Sequence, residues 1–206
     1  RPPKAGVRGA RGTCSALPKV KSSEADSVIT GNWGQDMTLL LKAAGDAGYN
    51  LRYFNHSAGS IPGTVLAVSQ AKQGQLTWVA EWHPGQADTP KVDALAKAYK
   101  AKTGKDFLAP RIEMTPRFLA AAINKAQSTD PVKVAATLEG MKFKSFNGEV
   151  EMRKTDHQLQ QGLFVSKWEK TGGKYTIDSE NTGHTLVPVK YYEPYVASTP
   201  TSCQMK

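Results

Sequence analysis

The sequence predicts an α/β protein. Short β-prone runs alternate with amphipathic helices in the first part of the chain, the middle is helical, and the last part is rich in short strands. Of the 206 residues, 39% are hydrophobic and 22% are charged, as in ordinary folded domains. No apolar run approaches the roughly 18 residues that a membrane span needs.

The first part of the chain predicts three strands with a helix between the first two. The strands are expected at 27–30, 51–54 and 76–82, where β-branched and aromatic residues concentrate. The helix is predicted from four apolar residues at i, i+3, i+4 and i+7 spacing, namely Met37, Leu40, Leu41 and Ala44. A weaker helix is expected around residues 64–71.

The middle of the chain predicts three more helices. The first carries Val92, Leu95, Ala96 and Tyr99 on one face, and the second carries Leu119, Ala122, Ile123 and Ala126. The third has the clearest start, because Asp130 is a good N-cap and Pro131 suits the first helical position. Its apolar stripe is predicted to be Val134, Leu138 and Met141. Short strands are then expected at 148–152, 161–168, about 174–178 and about 185–191.

The basic charge is concentrated at the start of the chain. The net charge is +9, and six cations precede the first acid, Glu24. They are Arg1, Lys4, Arg8, Arg11, Lys19 and Lys21. Because they account for two thirds of the excess and lie in a Gly/Pro-rich stretch, residues 1–24 are expected to form a basic, disordered head. A nucleic-acid partner is not expected, since such partners need a patterned basic face.

Cofactor and metal sites are not expected. Cys14 and Cys203 lack a partner at metal-ligand spacing, and two alternatives remain open for them: a disulfide in an oxidising compartment, or two unpaired thiols. The histidines form no i, i+4 pair and no cluster with carboxylates; they are His56, His83, His157 and His184. The Gly-rich segments lack a phosphate-binding Gly-Lys-Ser/Thr ending.

Three segments carry a family resemblance. Residues 146–158 combine an Asn-Gly turn, a strand and an Asp-His-Gln corner, 31–37 read Gly-Asn-Trp-Gly-Gln-Asp-Met, and 203–206 read Cys-Gln-Met-Lys. Together they resemble the C-terminal half of periplasmic solute-binding proteins of branched-chain-amino-acid-type ABC importers, from about residue 18 to 206. The chain begins with Arg1 and has no apolar signal-peptide core. We therefore expect a fragment that lacks the N-terminal half.

The resemblance implies a partial two-lobe, periplasmic-binding-protein-like architecture with a ligand cleft between the lobes. Residues 25–82 would belong to lobe two, 83–157 to a helical lobe one with a hairpin, and 158–206 to a hinge crossing and the last strands of lobe two. The hinge residues implied are His83, Asp156, His157 and Gln158. Hinges are the points at which the rotation of two lobes is absorbed.

The resemblance also implies ligand-binding residues: Asn32, Trp33, Ser57 and Trp82. Trp33 follows a strand end, and its indole would either contact the ligand or cover the first turn of the next helix. Trp82 would border the cleft or pack the hinge. Ser57 falls where amino-acid-binding relatives place an acid for the ligand ammonium. A hydroxyl cannot neutralise that charge, so an amide or an organic or aromatic acid becomes as plausible a ligand as an amino acid.

The implied function is ligand capture without catalysis. The partners would be a small-molecule ligand and the membrane permease of an ABC importer, and the location would be the periplasm. An alternative is an α/β-type hydrolase that uses Ser57 and His157. Against this alternative, the residues 55–59 lack the first glycine of a nucleophile elbow. The Asp156-His157 pair suits a hydrogen-bonded hinge corner better than acid–base work.

Overall fold

The computed structural model describes residues 13–56, 63–64, 67, 76–84, 90–107, 111–145, 148–175, 177–196 and 198–202. These residues contain five helices and eight strands. The helices are α1 (Thr13–Ser22), α2 (Gln35–Asp46), α3 (Pro90–Thr103), α4 (Arg111–Ala126) and α5 (Pro131–Leu138). The strands are β1 (Ser27–Thr30), β2 (Arg52–Asn55), β3 (Leu76–Ala80), β4 (Lys142–Ser145), β5 (Gly148–Met152), β6 (Leu159–Gln160), β7 (Leu163–Lys170) and β8 (His184–Tyr192). The α/β class is confirmed.

The larger sheet has the order β1-β2-β3-β7-β8. The pairs β1–β2 and β2–β3 are parallel, whereas β3–β7 and β7–β8 are antiparallel. Helix α2 packs against one face of this sheet through the four residues that the helical spacing identified, all of which are buried. The carboxyl ends of the parallel strands β1 and β2 therefore lie side by side, and the loop from β1 to α2 starts at that edge.

Helix α1 corrects the expectation of a disordered head. Residues 13–22 are helical, and Leu17 is only 6% exposed in the core beneath the large sheet, with Val20 packed beside it. The ammonium of Lys21 lies 5.5 Å from the centre of the Tyr49 ring. The sequence did not predict this helix because its apolar stripe consists of only two residues, Leu17 and Val20. A proline, Pro18, and two lysines lie between and beside them. Residues 1–12 lie outside the described residues.

The smaller sheet is antiparallel, with the order β4-β5-β6. Helices α4 and α5 pack with it around Phe118, Ala122, Val134 and Met141. The predicted cap of α5 is confirmed, because the backbone N–H of Lys133 donates to Asp130 Oδ1 at 2.9 Å. Strand β4 was not predicted, since Lys142–Ser145 is too short and too charged to stand out before it pairs with β5.

Other predicted elements differ at their ends. The third strand stops at Ala80, and the strand expected at 161–168 is β7, which runs from Leu163 to Lys170. Among the described residues near 174–178, Tyr175 forms an isolated bridge with Gly172. Thr64 and Ala67 are helical and buried, and the rest of the helix expected at 64–71 lies outside the described residues.

The crossing from the small sheet to the large one lies at Gln161–Gly162, between β6 and β7. Asp156, His157 and Gln158 lie earlier, in the connection from β5 to β6, so their assignment to the crossing is corrected. At Gly162 the backbone passes so close to Tyr191 that an added Cβ would clash with the phenol ring and its oxygen. The crossing is therefore set by a long-range contact with β8.

The C-terminal segment also departs from the expected lobe assignment. The Tyr195 hydroxyl donates to Glu151 Oε2 at 2.7 Å, and the Arg153 guanidinium donates to the Ser198 hydroxyl and to the Thr199 carbonyl. Glu151 and Arg153 lie in and just after β5. The chain thus returns to the small sheet after β8, and residues 158–206 do not all finish beside the large one. No helix among the described residues combines the length and the apolar character needed to cross a bilayer.

Candidate ligand site and hinge

Asn55 organises the loop at the carboxyl edge of the large sheet. Its side-chain NH₂ donates to the Thr30 carbonyl at 2.9 Å and to the Asn32 carbonyl at 3.0 Å. Asn55 is buried at the end of β2, next to the end of β1. The backbone amide of Asn32 also donates to Thr30 Oγ1 at 3.1 Å, and that hydroxyl donates to Asn32 Oδ1. These bonds fix the start of the loop that carries Trp33.

Trp33 projects from this fixed loop. Its indole is 70% exposed, and its carbonyl accepts the backbone N–H of Asp36 at 3.2 Å as α2 begins. Gly34 has φ = 58°, a backbone conformation that a glycine adopts without strain. So large an exposed aromatic surface favours ligand contact over the alternative in which Trp33 covers the helix. The side-chain oxygen of Asn32 accepts the Thr30 hydroxyl and so helps to shape the loop, and the ligand role of Asn32 stays a prediction.

Sequence reasoning missed Asn55 as a site residue. Its signal was present, because a polar residue directly after an apolar strand stands at the edge where ligands of parallel sheets bind. His56, the next residue, is exposed, and Ser57 lies outside the described residues. The hydrolase alternative also depends on Ser57. The ligand roles of Trp33 and Ser57 therefore stay predictions.

Trp82 packs inside the first passage between the two sheets. It is 2% exposed, and its ring meets the Phe107 ring edge to face with centroids 5.8 Å apart, beside Ala96. Next to it, the Arg111 guanidinium donates to both carboxylate oxygens of Glu81. These contacts favour the hinge-packing alternative for Trp82 over ligand contact.

His83 is buried at the first passage between the sheets. Its Nδ1–H donates to the Pro84 carbonyl at 2.9 Å, so Nε2 is the acceptor and receives the Ser166 hydroxyl at 2.7 Å. The imidazole lies between Trp78 and Phe164. Burial lowers the pKa of His83 to about 4, which keeps the ring neutral near pH 7.

The contact between His83 and Ser166 has the geometry of a base beside a nucleophile. Ser166 has no exposed surface, however, and His83 is similarly enclosed. A substrate carbonyl could not reach the hydroxyl without unfolding the sheet around it. The hydrogen bond therefore connects the first passage, at His83, to strand β7. Strand β7 begins just after the second passage between the sheets, at residues 161–162.

Asp156 is paired with Arg153 rather than with His157. The guanidinium donates to both carboxylate oxygens, to Gln158 Oε1 at 2.8 Å and to the C-terminal segment. These hydrogen bonds hold the pKa of Asp156 well below its usual range. His157 has φ = 55°, and its Nε2 lies 3.9 Å from Glu139 Oε1. The corner is thus a hydrogen-bonded turn, and it contains no Asp–His pair for acid–base work.

Metal binding has no candidate among the residues that the structure describes, since no three His, Cys, Asp or Glu side chains gather there.

A family model described as periplasmic binding protein matches residues 10–174, which is most of the chain. The chain belongs to the periplasmic binding protein family. This finding confirms the resemblance. It also extends the match to include α1, where the resemblance had been expected to start near residue 18.

Known relatives of the chain agree with that family assignment. The chain is 27% identical over 201 residues to Leu/Ile/Val-binding protein homolog 4 of Brucella abortus, covering 92% of this chain and 46% of the relative. Among solved structures, it is similar to the closed conformation of a leucine-, isoleucine-, valine-, threonine- and alanine-binding protein of Brucella ovis. That similarity has a TM-score of 0.77 and 23% identity, over 98% of this chain and 52% of the other.

A second solved structure widens the range of ligands among the neighbours. A solute-binding protein of an ABC transporter from Rhodopseudomonas palustris BisB5, in complex with 3,4-dihydroxybenzoic acid, matches with a TM-score of 0.66 and 14% identity. The match covers 89% of this chain and 49% of that one. At such identities the likeness concerns the fold. The chain spans about half the length of the relatives it matches.

Proposed function

We propose that this chain is part of the solute-binding subunit of an ABC importer in the periplasm. The subunit would capture a small organic solute in a cleft between two lobes and hand it to a membrane permease. The observation that carries this proposal is the loop from β1 to α2, because Asn55 anchors it from β2 and it presents an exposed indole at the edge of a parallel sheet. Since the chain spans about half of its relatives, the activity of the whole protein is part of the proposal.

The ligand would lie against Trp33. An indole face packs on apolar and aromatic groups and also attracts cations, so Trp33 alone suits both ligand types found among the neighbours. One neighbour is a binding protein for five amino acids, and another was solved in complex with an aromatic acid. Ser57 at the ammonium-binding position weighs against a zwitterion, because losing a charged partner for a buried ammonium costs about 3–5 kcal/mol. We therefore propose an aromatic or other organic acid, or an amide.

Lobe closure would bend the chain at two passages. The first contains Trp82 and His83, and the second is Gln161–Gly162. Both are packed against distant residues, which suits a hinge that rotates as a unit. We also propose that the bare chain is inactive by itself. Ile29 on the edge strand β1 is 90% exposed, and Phe54 beside it in register is partly exposed, so a sheet edge and an apolar face are left for further chain to cover.

The test is a ligand titration that follows tryptophan fluorescence and heat. The full chain is titrated with L-leucine, L-leucinamide, benzoate and 4-hydroxybenzoate, alone and with a separately expressed N-terminal half of the Brucella ovis relative. We expect saturable binding of an acid or amide only in the presence of that half, and loss of binding in Trp33→Ala. The matched control is Leu39→Ala, which removes an exposed apolar side chain from the following helix.

Two results would contradict the proposal. One is the absence of binding to any of the four probes in both preparations. The other is binding that survives Trp33→Ala at full affinity. A parallel assay with p-nitrophenyl acetate tests the hydrolase alternative, for which we expect no turnover that depends on Ser57 or His157.

A further inference from the structure

The residues that follow β8 connect the large sheet to the small one. Strand β8 ends at Tyr192, and hydrogen bonds join the next residues to β5 and to the turn after it. The first of these bonds runs from the Tyr195 hydroxyl to Glu151 Oε2, at 2.7 Å. We refer to the described residues of this segment, 193–196 and 198–202, as the strap. The strap is a third link between the sheets, in addition to the two passages.

Arg153, just after β5, holds both the strap and the turn. Its Nε–H donates to Asp156 Oδ1 at 2.7 Å, and Nη2 donates to the second oxygen of that carboxylate and to Gln158 Oε1 at 2.8 Å. Its Nη1 donates to the Ser198 hydroxyl at 3.2 Å and to the Thr199 carbonyl at 2.7 Å. A guanidinium has five N–H donors, so these five hydrogen bonds use all of them.

The two sides of the guanidinium bind different parts of the chain. Nε and Nη2 bind the turn after β5, whereas Nη1 binds only the strap. Because the group is planar, its paired contact with Asp156 also sets the direction in which Nη1 points. The side chains of Arg153 and Asp156 are only 16% and 10% exposed, so water has little access to the pair. A lysine could pair with the carboxylate, but its ammonium lacks the fork that reaches the strap as well.

The turn that presents Asp156 is itself ordered by hydrogen bonds. The Arg153 N–H donates to the Gln158 carbonyl at 2.9 Å, and the His157 N–H donates to the Arg153 carbonyl at 2.9 Å. Asp156 Oδ1 also accepts the backbone N–H of Gln158 at 3.1 Å. The Thr201 side chain hydrogen-bonds to the same carboxylate. The strap is thus attached to the small sheet and its turn at several successive points.

The three links lie side by side at one edge of the large sheet. The chain leaves β3 for the first passage, enters β7 from the second and leaves β8 for the strap, and these strands are neighbours in the order β3-β7-β8. Their ends are level, since Ala80 pairs with Phe164 and Leu163 pairs with Tyr192. Neighbouring strands are about 4.8 Å apart, so the strap widens the connection from one strand spacing to two. A wider row of links resists twisting more strongly, while bending about the row remains free.

We propose that the strap is a conformational device that suppresses twisting between the two sheets, and that Arg153 is its anchor. With the strap attached, the motion that remains is bending about the row of three links. When the contacts of Arg153 Nη1 are lost, the two passages alone connect the sheets, and twisting is released. The inference concerns the chain without a ligand, so it does not depend on the proposed function.

The experiment measures the distance between two spin labels on the full chain by pulsed electron paramagnetic resonance. The labels are attached at Lys42→Cys on α2, which packs on the large sheet, and at Lys125→Cys on α4, which packs with the small one. Both positions are exposed. The two natural cysteines, Cys14 and Cys203, are replaced by serine. We expect a narrow distribution of distances in this parent chain.

Three variants of the labelled chain separate the strap from its anchor. Arg153→Lys keeps a charge beside Asp156 but loses the fork, and we expect a broader distribution. A chain that ends after Glu193 lacks the strap and keeps the Arg153–Asp156 pair, and we expect the same broadening. Arg117→Lys is the matched control, because it alters an exposed guanidinium of the small-sheet unit that donates to Glu113 within α4 at 2.8 Å. Its distribution should stay as narrow as that of the parent chain.

Each contrary outcome overturns a stated part of the inference. A parent distribution as broad as that of the shortened chain would mean that the strap does not restrict twisting. If the distribution stays narrow in Arg153→Lys and broadens in the shortened chain, then the strap acts but Arg153 is not its anchor. The shortened chain keeps all the strands of both sheets, so it decides the role of the strap even where a variant of Arg153 fails to fold.

Discussion

The hydroxyl of Ser166 donates to Nε2 of His83 over 2.7 Å, and so joins the first passage between the two sheets to the strand that follows the second. The other ring nitrogen donates to the Pro84 carbonyl. Burial disfavours the charged imidazolium, and protonation would turn Nε2 into a donor, so the Ser166 hydroxyl would have to reorient and accept instead of donate. The geometry of this passage and the protonation of His83 are therefore coupled.

Acid should destabilise the protein through His83. Its folded pKa of about 4 lies below the unfolded value of 6.5, so the unfolded chain binds more protons between these values, and stability falls as the pH drops. From pH 7 to pH 5, this group alone should remove about 2 kcal/mol from the free energy of unfolding. Urea unfolding of the parent chain and of His83→Gln at both pH values measures the effect.

The variant His83→Gln should lack this component of the pH dependence, although it is less stable at pH 7. His56→Gln, at an exposed histidine, should keep the parent dependence. If the free energy of unfolding changes with pH by the same amount in the parent chain and in His83→Gln, then His83 does not titrate as its burial requires.

Replacing Asn55 should loosen the loop that carries Trp33. Asn55→Ala leaves the Thr30 and Asn32 carbonyls without their donor, which should cost about 1–3 kcal/mol in the free energy of unfolding. Amide exchange in residues 30–34 should also rise. Asn50→Ala, at an exposed asparagine before β2, is the control. Unchanged exchange in the loop of Asn55→Ala would mean that other contacts hold it.

A side chain at Gly162 should disturb the second passage. An added Cβ would clash with Tyr191 Oη, so Gly162→Ala must displace a ring that packs on Phe164 with centroids 4.7 Å apart. We expect a loss of about 1–3 kcal/mol in the free energy of unfolding. Much of it should return in the double variant Gly162→Ala/Tyr191→Ala, relative to Tyr191→Ala alone. Gly172→Ala has open space around its Cβ and should be close to neutral. Additive effects in the double variant would refute the contact.

Shortening Leu17 should destabilise the whole large-sheet unit. Its side chain belongs to the same core as α2, so Leu17→Ala should cost about 2–5 kcal/mol in the free energy of unfolding and should expose α1 to protease. Lys19→Ala, at an exposed position of the same helix, is the control. It shows whether a change in helix propensity alone alters the free energy of unfolding. If Leu17→Ala unfolds at the same urea concentration as the parent chain, then α1 does not contribute to the core.

Where the structural signal is local, the sequence alone was sufficient. The apolar spacing of α2, the Asp130-Pro131 start of α5 and the strand at 148–152 depend on neighbours within a few residues, and all three were predicted correctly. The family was also within reach of the sequence, because its motifs are short contiguous segments. Composition and periodicity together were enough for the α/β class.

Tertiary structure decided the features that join distant segments. The residues of α1 hardly predict a helix. The helix is stabilised because Leu17 is buried in the core. The crossing at Gln161–Gly162 is set by Tyr191, Asn55 acts on residues 23 and 25 positions away, and Glu180 acts on Gly63, 117 positions away. No local pattern encodes such pairs. Such a contact stabilises the protein only after folding has brought the two distant residues together. In the hydrogen-bonded pairs, a donor then meets an acceptor that would otherwise be buried without a partner.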